Sequence, residues 1–141
     1  MRKVKIALLS VIILATLVSC ANFSNNTYKT IYIAGQSYDL AMRTVSELQK
    51  QGKITAAQRE EINKYGTAYY MAYNASIDSL ELYMRVEDQT TKDKVISILQ
   101  ELMGKWTAFA VYVNSLIPNT ISPKLPKKIE DVPTSTSVIP K

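Results

Sequence analysis

Three segments of this 141-residue chain place apolar side chains at alternating steps of three and four, a spacing that suits long amphipathic helices packed against one another. The first stripe is Ile31, Ala34, Tyr38, Ala41, Val45 and Leu48. The second is Ile62, Tyr65/Gly66, Tyr69, Ala72/Tyr73, Ile77, Leu80 and Met84. The third is Val95, Leu99, Leu102, Trp106, Phe109, Val113 and Leu116, widened by Ile98, Met103, Ala110 and Ile117. Strand-like alternation is missing, so the expected fold class is all-α.

Helix-ending chemistry falls between the stripes. Thr27 is the expected N-cap of a first helix over 28–51, and Gly52 suits the left-handed residue that ends it. Thr55 followed three residues later by Gln58 is a capping box, with Ile54 as its apolar staple. It opens a second helix over 55–87. Gly66 inside that helix costs ~1 kcal/mol relative to alanine, which points to a slight bend or a close contact. Residues 88–91 break the pattern, Thr90 with Asp93 offers the next cap, and a third helix covers 91–117 until Pro118 stops it. Two short connections make neighbours antiparallel, giving an up-down-up three-helix bundle. The competing arrangement is a pair of long helices that dimerises through its coiled-coil-like stripes.

The flanks differ in kind. A basic start (Arg2, Lys3, Lys5) and an apolar run over 6–18 precede Leu17-Val18-Ser19-Cys20. A run of thirteen residues falls short of the ~20 that span a bilayer, and the order of regions is that of a secretory signal. Leu17-Val18-Ser19-Cys20 resembles the lipobox of bacterial lipoproteins. That resemblance implies removal of residues 1–19 and acylation of Cys20, which becomes the N-terminus and the membrane anchor. In Gram-negative members, Ala21 in place of aspartate implies the outer membrane, with the body facing the periplasm. Cys20 is the sole cysteine, so no disulfide can form within one chain. Residues 20–27 then read as the lipidated cysteine and a short polar tether.

Loss of the signal also changes the charge. The whole chain has 17 basic and 12 acidic residues, and removal of Arg2, Lys3 and Lys5 leaves fourteen against twelve. The basic balance therefore gives no warrant for a nucleic-acid partner. About 120 mature residues suit one domain with a real core. Residues 118–141, with five prolines and a Ser/Thr run, read as a disordered tail with polyproline character. Lys124, Lys127 and Lys128 form a basic cluster there, suited to a solvated terminus or to anionic lipid, an acidic partner or peptidoglycan.

Candidate sites are few. Tyr65, Tyr69 and Tyr73 recur every four residues, so they share a helix face with Tyr70 beside them. They form a candidate ligand or partner face for a glycan, a peptide or an aromatic group. The same positions coincide with the packing stripe, where tyrosine buries its ring and keeps its hydroxyl wet, with Ala34 and Ala41 opposite. Glu60-Glu61 sits in the first turn of the second helix, where the helix dipole favours acidic charge. Neither that pair nor Glu87-Asp88 suggests a metal site. There is no histidine, and the serines lack a base, so no catalytic residue, cofactor or metal is expected.

The segment from Tyr38-Asp39 through 50–58 to Tyr83 is similar in style to small helical lipoproteins of phage and prophage gene sets, most of which have no assigned activity. The expected function is a non-enzymatic, lipid-anchored cell-envelope protein: a helical scaffold or interaction module whose partner is an envelope protein or a second copy. Alternatives are a phage-linked exclusion or lysis accessory and a ligand-binding module using the tyrosine face.

Overall fold

A computed structural model describes the backbone of residues 2–126 and the side chains of residues 22–126. It consists of α1 (Arg2–Lys50), α2 (Ala56–Val86) and α3 (Gln89–Leu116), in which α2 packs on both α1 and α3. The all-α three-helix bundle expected from the stripes is the observed fold.

The capping box forms as the sequence dictates. The Gln58 N–H donates to the Thr55 hydroxyl at 3.2 Å, and the Gln58 side-chain oxygen accepts from the Thr55 N–H at 2.9 Å. Gly52 takes a left-handed φ of 72°, and the Lys53 N–H returns to the Leu48 carbonyl. At the second turn, Glu87 adopts φ 52° and its N–H bonds the Tyr83 carbonyl. Asp88, rather than Thr90, caps α3: its carboxylate accepts from the Thr91 N–H at 2.7 Å. A carboxylate at a helix N-terminus gains from both the bond and the dipole, and its pKa is held below the usual range by those bonds.

The first helix departs most from expectation. Thr27 is 4% exposed inside α1 rather than at its start, and residues 22–27 are helical rather than a free tether. Residues 21–27 contain no glycine or proline to stop the helix. Phe23 and Thr27 also extend the inward register of Ile31 by two turns, at four-residue steps. The Phe23 ring meets Tyr83 edge-on at 5.1 Å, and the Lys92 ammonium lies over it.

In α2 the expected stripe holds from Ile62 to Ala72 and then drifts by one residue. Ser76, Leu80 and Tyr83 are buried, whereas Met84 is 58% exposed and Ile77 only partly covered. A helix advancing by 3.6 residues per turn carries positions 77 and 84 off the seam. The small side chains of Ser76 and Ser79 fill this close-packed stretch, their hydroxyls donating to the carbonyls of Tyr73 and Ser76.

The main core joins Val45, Leu48 and Ile62 to Leu102, Phe109 and Val113, and a second cluster of Ile31, Leu80, Tyr83 and Val95 closes the end beside the α2–α3 turn. Each fully buried aliphatic or aromatic side chain here contributes ~1.5–3 kcal/mol. An aromatic chain crosses all three helices: Tyr38 stacks on Tyr69 at 4.9 Å, Tyr69 meets Trp106 at 5.6 Å, and Trp106 meets Phe109 at 5.8 Å.

Residues 118–126 are not a free tail. Asn114 accepts from the N–H groups of Thr120 and Ile121 and donates to the Ile121 carbonyl at 2.6 Å. The Trp106 indole N–H donates to the Ser122 carbonyl at 3.1 Å, and Ile121 and Leu125 pack on the core. This strap lies across α3 and reaches the edge of α1. Residues 127–141, with Lys127 and Lys128, lie outside the described residues. Among those described, no helix is long and apolar enough to cross a membrane.

Candidate functional site

The bundle separates the three predicted face residues. Tyr69 is 1% exposed, and its hydroxyl donates to the Ala34 carbonyl at 2.9 Å. Tyr65 turns to α3 and stacks on Tyr112 at 4.9 Å. Tyr73 turns to α1, where its hydroxyl sits above Gly35. One residue every four drifts around a helix by about 40° per step, so three such positions meet different neighbours. Of the two alanines expected opposite the tyrosines, Ala34 meets Tyr69, but the closest large-on-small points are glycines. A Cβ on Gly35 would lie 2.8 Å from the Tyr73 hydroxyl oxygen, and one on Gly66 would lie 2.7 Å from that of Tyr38.

A different tyrosine set shares a surface. Tyr32 and Tyr38 of α1 and Tyr70 and Tyr73 of α2 wall a groove of about 230 Å³, with Tyr69 also lining it and Asp39 and Gln36 on its α1 side. Tyr70 is 53% exposed and Tyr32 is 42% exposed, and the latter stacks loosely on Tyr28. Burial raises the pKa of Tyr38 and of Tyr73, and in each the nearby Asp39 carboxylate is the next cause. Burial is also the main cause for Tyr69, with Tyr73, Tyr38 and Asp39 adding to it. All three phenols therefore stay neutral at physiological pH. Arg59 acts on Tyr38 in the opposite sense but does not line the groove.

Two further depressions flank the strap. One, of about 510 Å³, runs between Thr30 and Ile33 of α1, Met103 and Thr107 of α3, and strap residues Pro123 and Leu125. The other, about 60 Å³, lies under Ile121 against Ser37, Leu40 and Trp106, and Lys124 edges both. The Ser37 hydroxyl is buried with no hydrogen-bond partner among the described residues. Among the described residues no three histidine, cysteine or acidic side chains converge to hold a metal. Glu60 and Glu61 fall in the second turn of α2 rather than the expected first, because the helix starts at Ala56, and Glu61 pairs with Lys64 at 2.8 Å.

Sequence reasoning missed Asp39 and Tyr32 as groove residues. The available signal was the register of Gly35 and Gly66, which marks where bulky groups from the facing helix must enter. The side chain of Cys20 lies outside the described set, so the lipidation site rests on the sequence. No protein-family model matches the chain, and no curated protein and no solved structure matches it either.

Proposed function

We propose that this chain is a non-enzymatic, lipid-anchored protein of the bacterial cell envelope, acting as a helical scaffold or interaction module. The observation that carries this reading is the sole cysteine, Cys20, placed directly after a basic start and a short apolar run in the order Leu17-Val18-Ser19-Cys20. Acylation accounts for an otherwise partnerless thiol in an exported chain. Two or more acyl chains hold a protein firmly, at ~0.8 kcal/mol per buried CH₂.

The bundle starts close to that cysteine. Three residues after Cys20, the Phe23 ring packs on Tyr83, so the bundle begins within one helical turn of the anchor. A body held that way sits close to the bilayer with its long helical faces presented to neighbours.

The test is metabolic labelling with an alkyne-bearing fatty acid, followed by membrane fractionation. The native chain is expected to take up label and sediment with membranes, and Cys20→Ala to lose both properties. Persistent labelling of Cys20→Ala would overturn the anchor. Crosslinking in intact cells then addresses the scaffold role, which predicts a trapped envelope partner or a homo-oligomer; a strictly monomeric, partnerless protein sinks it.

A further inference from the structure

The groove between α1 and α2 combines three properties that suit a cation. Its walls are mostly phenol rings, contributed by Tyr32, Tyr38, Tyr70 and Tyr73. Its one charged lining residue is Asp39. That carboxylate makes no ion pair among the described residues, with Arg43 one turn along α1 included. We propose that this groove is a binding site for an ammonium group, held against the tyrosine rings with Asp39 as its counter-charge.

The physical case rests on charge. The face of an aromatic ring carries negative potential and attracts a cation within ~6 Å, most strongly where water is partly excluded. An unpaired carboxylate beside several such faces adds to the same attraction. Asp39 already contributes to holding the protons on Tyr38, Tyr69 and Tyr73, which reports a negative field at all three hydroxyls. No basic side chain lines the groove, and the opposing charge felt there is that of Arg59, which acts on Tyr38 less than Asp39 does.

Size and position narrow the ligand class. About 230 Å³ lies below the ~300–1,000 Å³ of sites that enclose drug-sized molecules, and several times above the ~30 Å³ of one water. A head-group-sized cation suits that space. Tyr32 and Asp39 lie twelve and nineteen residues beyond Cys20 along α1, or ~18–29 Å at the rise of a helix. In a chain anchored at Cys20, a groove that far along α1 is open to soluble amines or lysine side chains. Ligand binding itself does not depend on the anchor.

The test uses the full chain in an uncharged detergent, with the ring signals of Tyr70 and Tyr73 followed by NMR. Choline and an N-acetyl-lysine amide are titrated in parallel, as quaternary and primary ammonium probes, beside 3,3-dimethylbutan-1-ol, the uncharged isostere of choline. Saturable shifts are expected with at least one cation, at about tenfold or more higher affinity than with the isostere. Asp39→Asn is expected to weaken cation binding about tenfold while leaving the isostere unchanged, and Tyr70→Leu to weaken it as well. Both positions are exposed, and an unchanged circular dichroism melt confirms that each variant folds. Equal affinity for choline and its isostere, indifference to Asp39→Asn, or no saturation by either cation would overturn the site. So would saturation by a neutral sugar with no preference for charge.

Discussion

The Tyr38 hydroxyl occupies the space that a side chain at Gly66 would take: a Cβ there would lie 2.7 Å from the phenol oxygen, while the nearest ring carbons are 3.6 Å away. The facing pair repeats the device in reverse, with Tyr73 of α2 over Gly35 of α1. Two helices that each place a tyrosine over the other's glycine fix both their separation and their register.

Gly66→Ala is expected to destabilise the bundle by ~1–2 kcal/mol. Alanine brings ~1 kcal/mol of helix propensity, but it must displace a ring stacked on Tyr69. In a Tyr38→Phe background the offending oxygen is gone and the remaining contacts are ordinary, so Gly66→Ala becomes neutral or stabilising. The same rescue fails at Gly35, because an alanine methyl there would meet Tyr73 ring carbons at 3.1 and 3.2 Å as well as the hydroxyl. Urea unfolding of the two double-mutant cycles decides this, and equal behaviour of the two pairs would refute it.

Asn114 is expected to hold the strap. Asn114→Ala removes three hydrogen bonds to Thr120 and Ile121, at a cost of ~1.5–3 kcal/mol. Because Trp106 is the sole tryptophan and bonds Ser122, its fluorescence should shift to the red as the strap loosens. Asn114→Asp keeps the acceptor but loses the donor to the Ile121 carbonyl, so its loss should be intermediate. An unshifted emission in Asn114→Ala would show that the strap stays down without it.

Helix existence and pairing were legible because periodicity and caps agree: Thr55-Gln58, Gly52, the first and third stripes, and the second stripe as far as Ala72 all survive in the structure. The ends were not. Residues 22–27 look polar, yet Phe23 and Thr27 lie in register with Ile31, and a distant ring on α2 meets Phe23. Residues 118–126 look like a proline-rich tail, yet one asparagine on α3 satisfies their backbone groups. The first depends on a contact sixty residues along the chain and the second on side chains of α3 six to sixteen residues back, and composition reports neither. The tyrosine periodicity located the right helix, but the shared surface comes from α1 and α2 together, and only Tyr73 of the three predicted positions opens onto it beyond the core-bound Tyr69.

Phe23→Ala is expected to cost ~1–3 kcal/mol, less than a fully buried phenylalanine because the ring is partly covered. It removes the edge-on contact with Tyr83 and the ring beneath Lys92. A loose tether would predict no change. Thermal unfolding distinguishes the two, with Asn25→Ala, an exposed neighbour, as the control.

Alkaline pH should destabilise the bundle through Tyr69. Its pKa is raised in the folded state, chiefly by burial, so the unfolded chain releases that proton first, near pH 10. Below that pH both states keep the proton and the stabilisation is fully present; as pH rises further, the unfolded state is favoured by ~1.4 kcal/mol per unit for this one group. Tyr69→Phe removes the titration but also the bond to the Ala34 carbonyl, worth ~1 kcal/mol at neutral pH. The variant should therefore start less stable, decline less steeply above pH ~10 and cross the native curve near pH ~11. Parallel stability curves for the two proteins between pH ~9 and ~12 would show that Tyr69 ionises as freely in the fold as out of it, contrary to its burial.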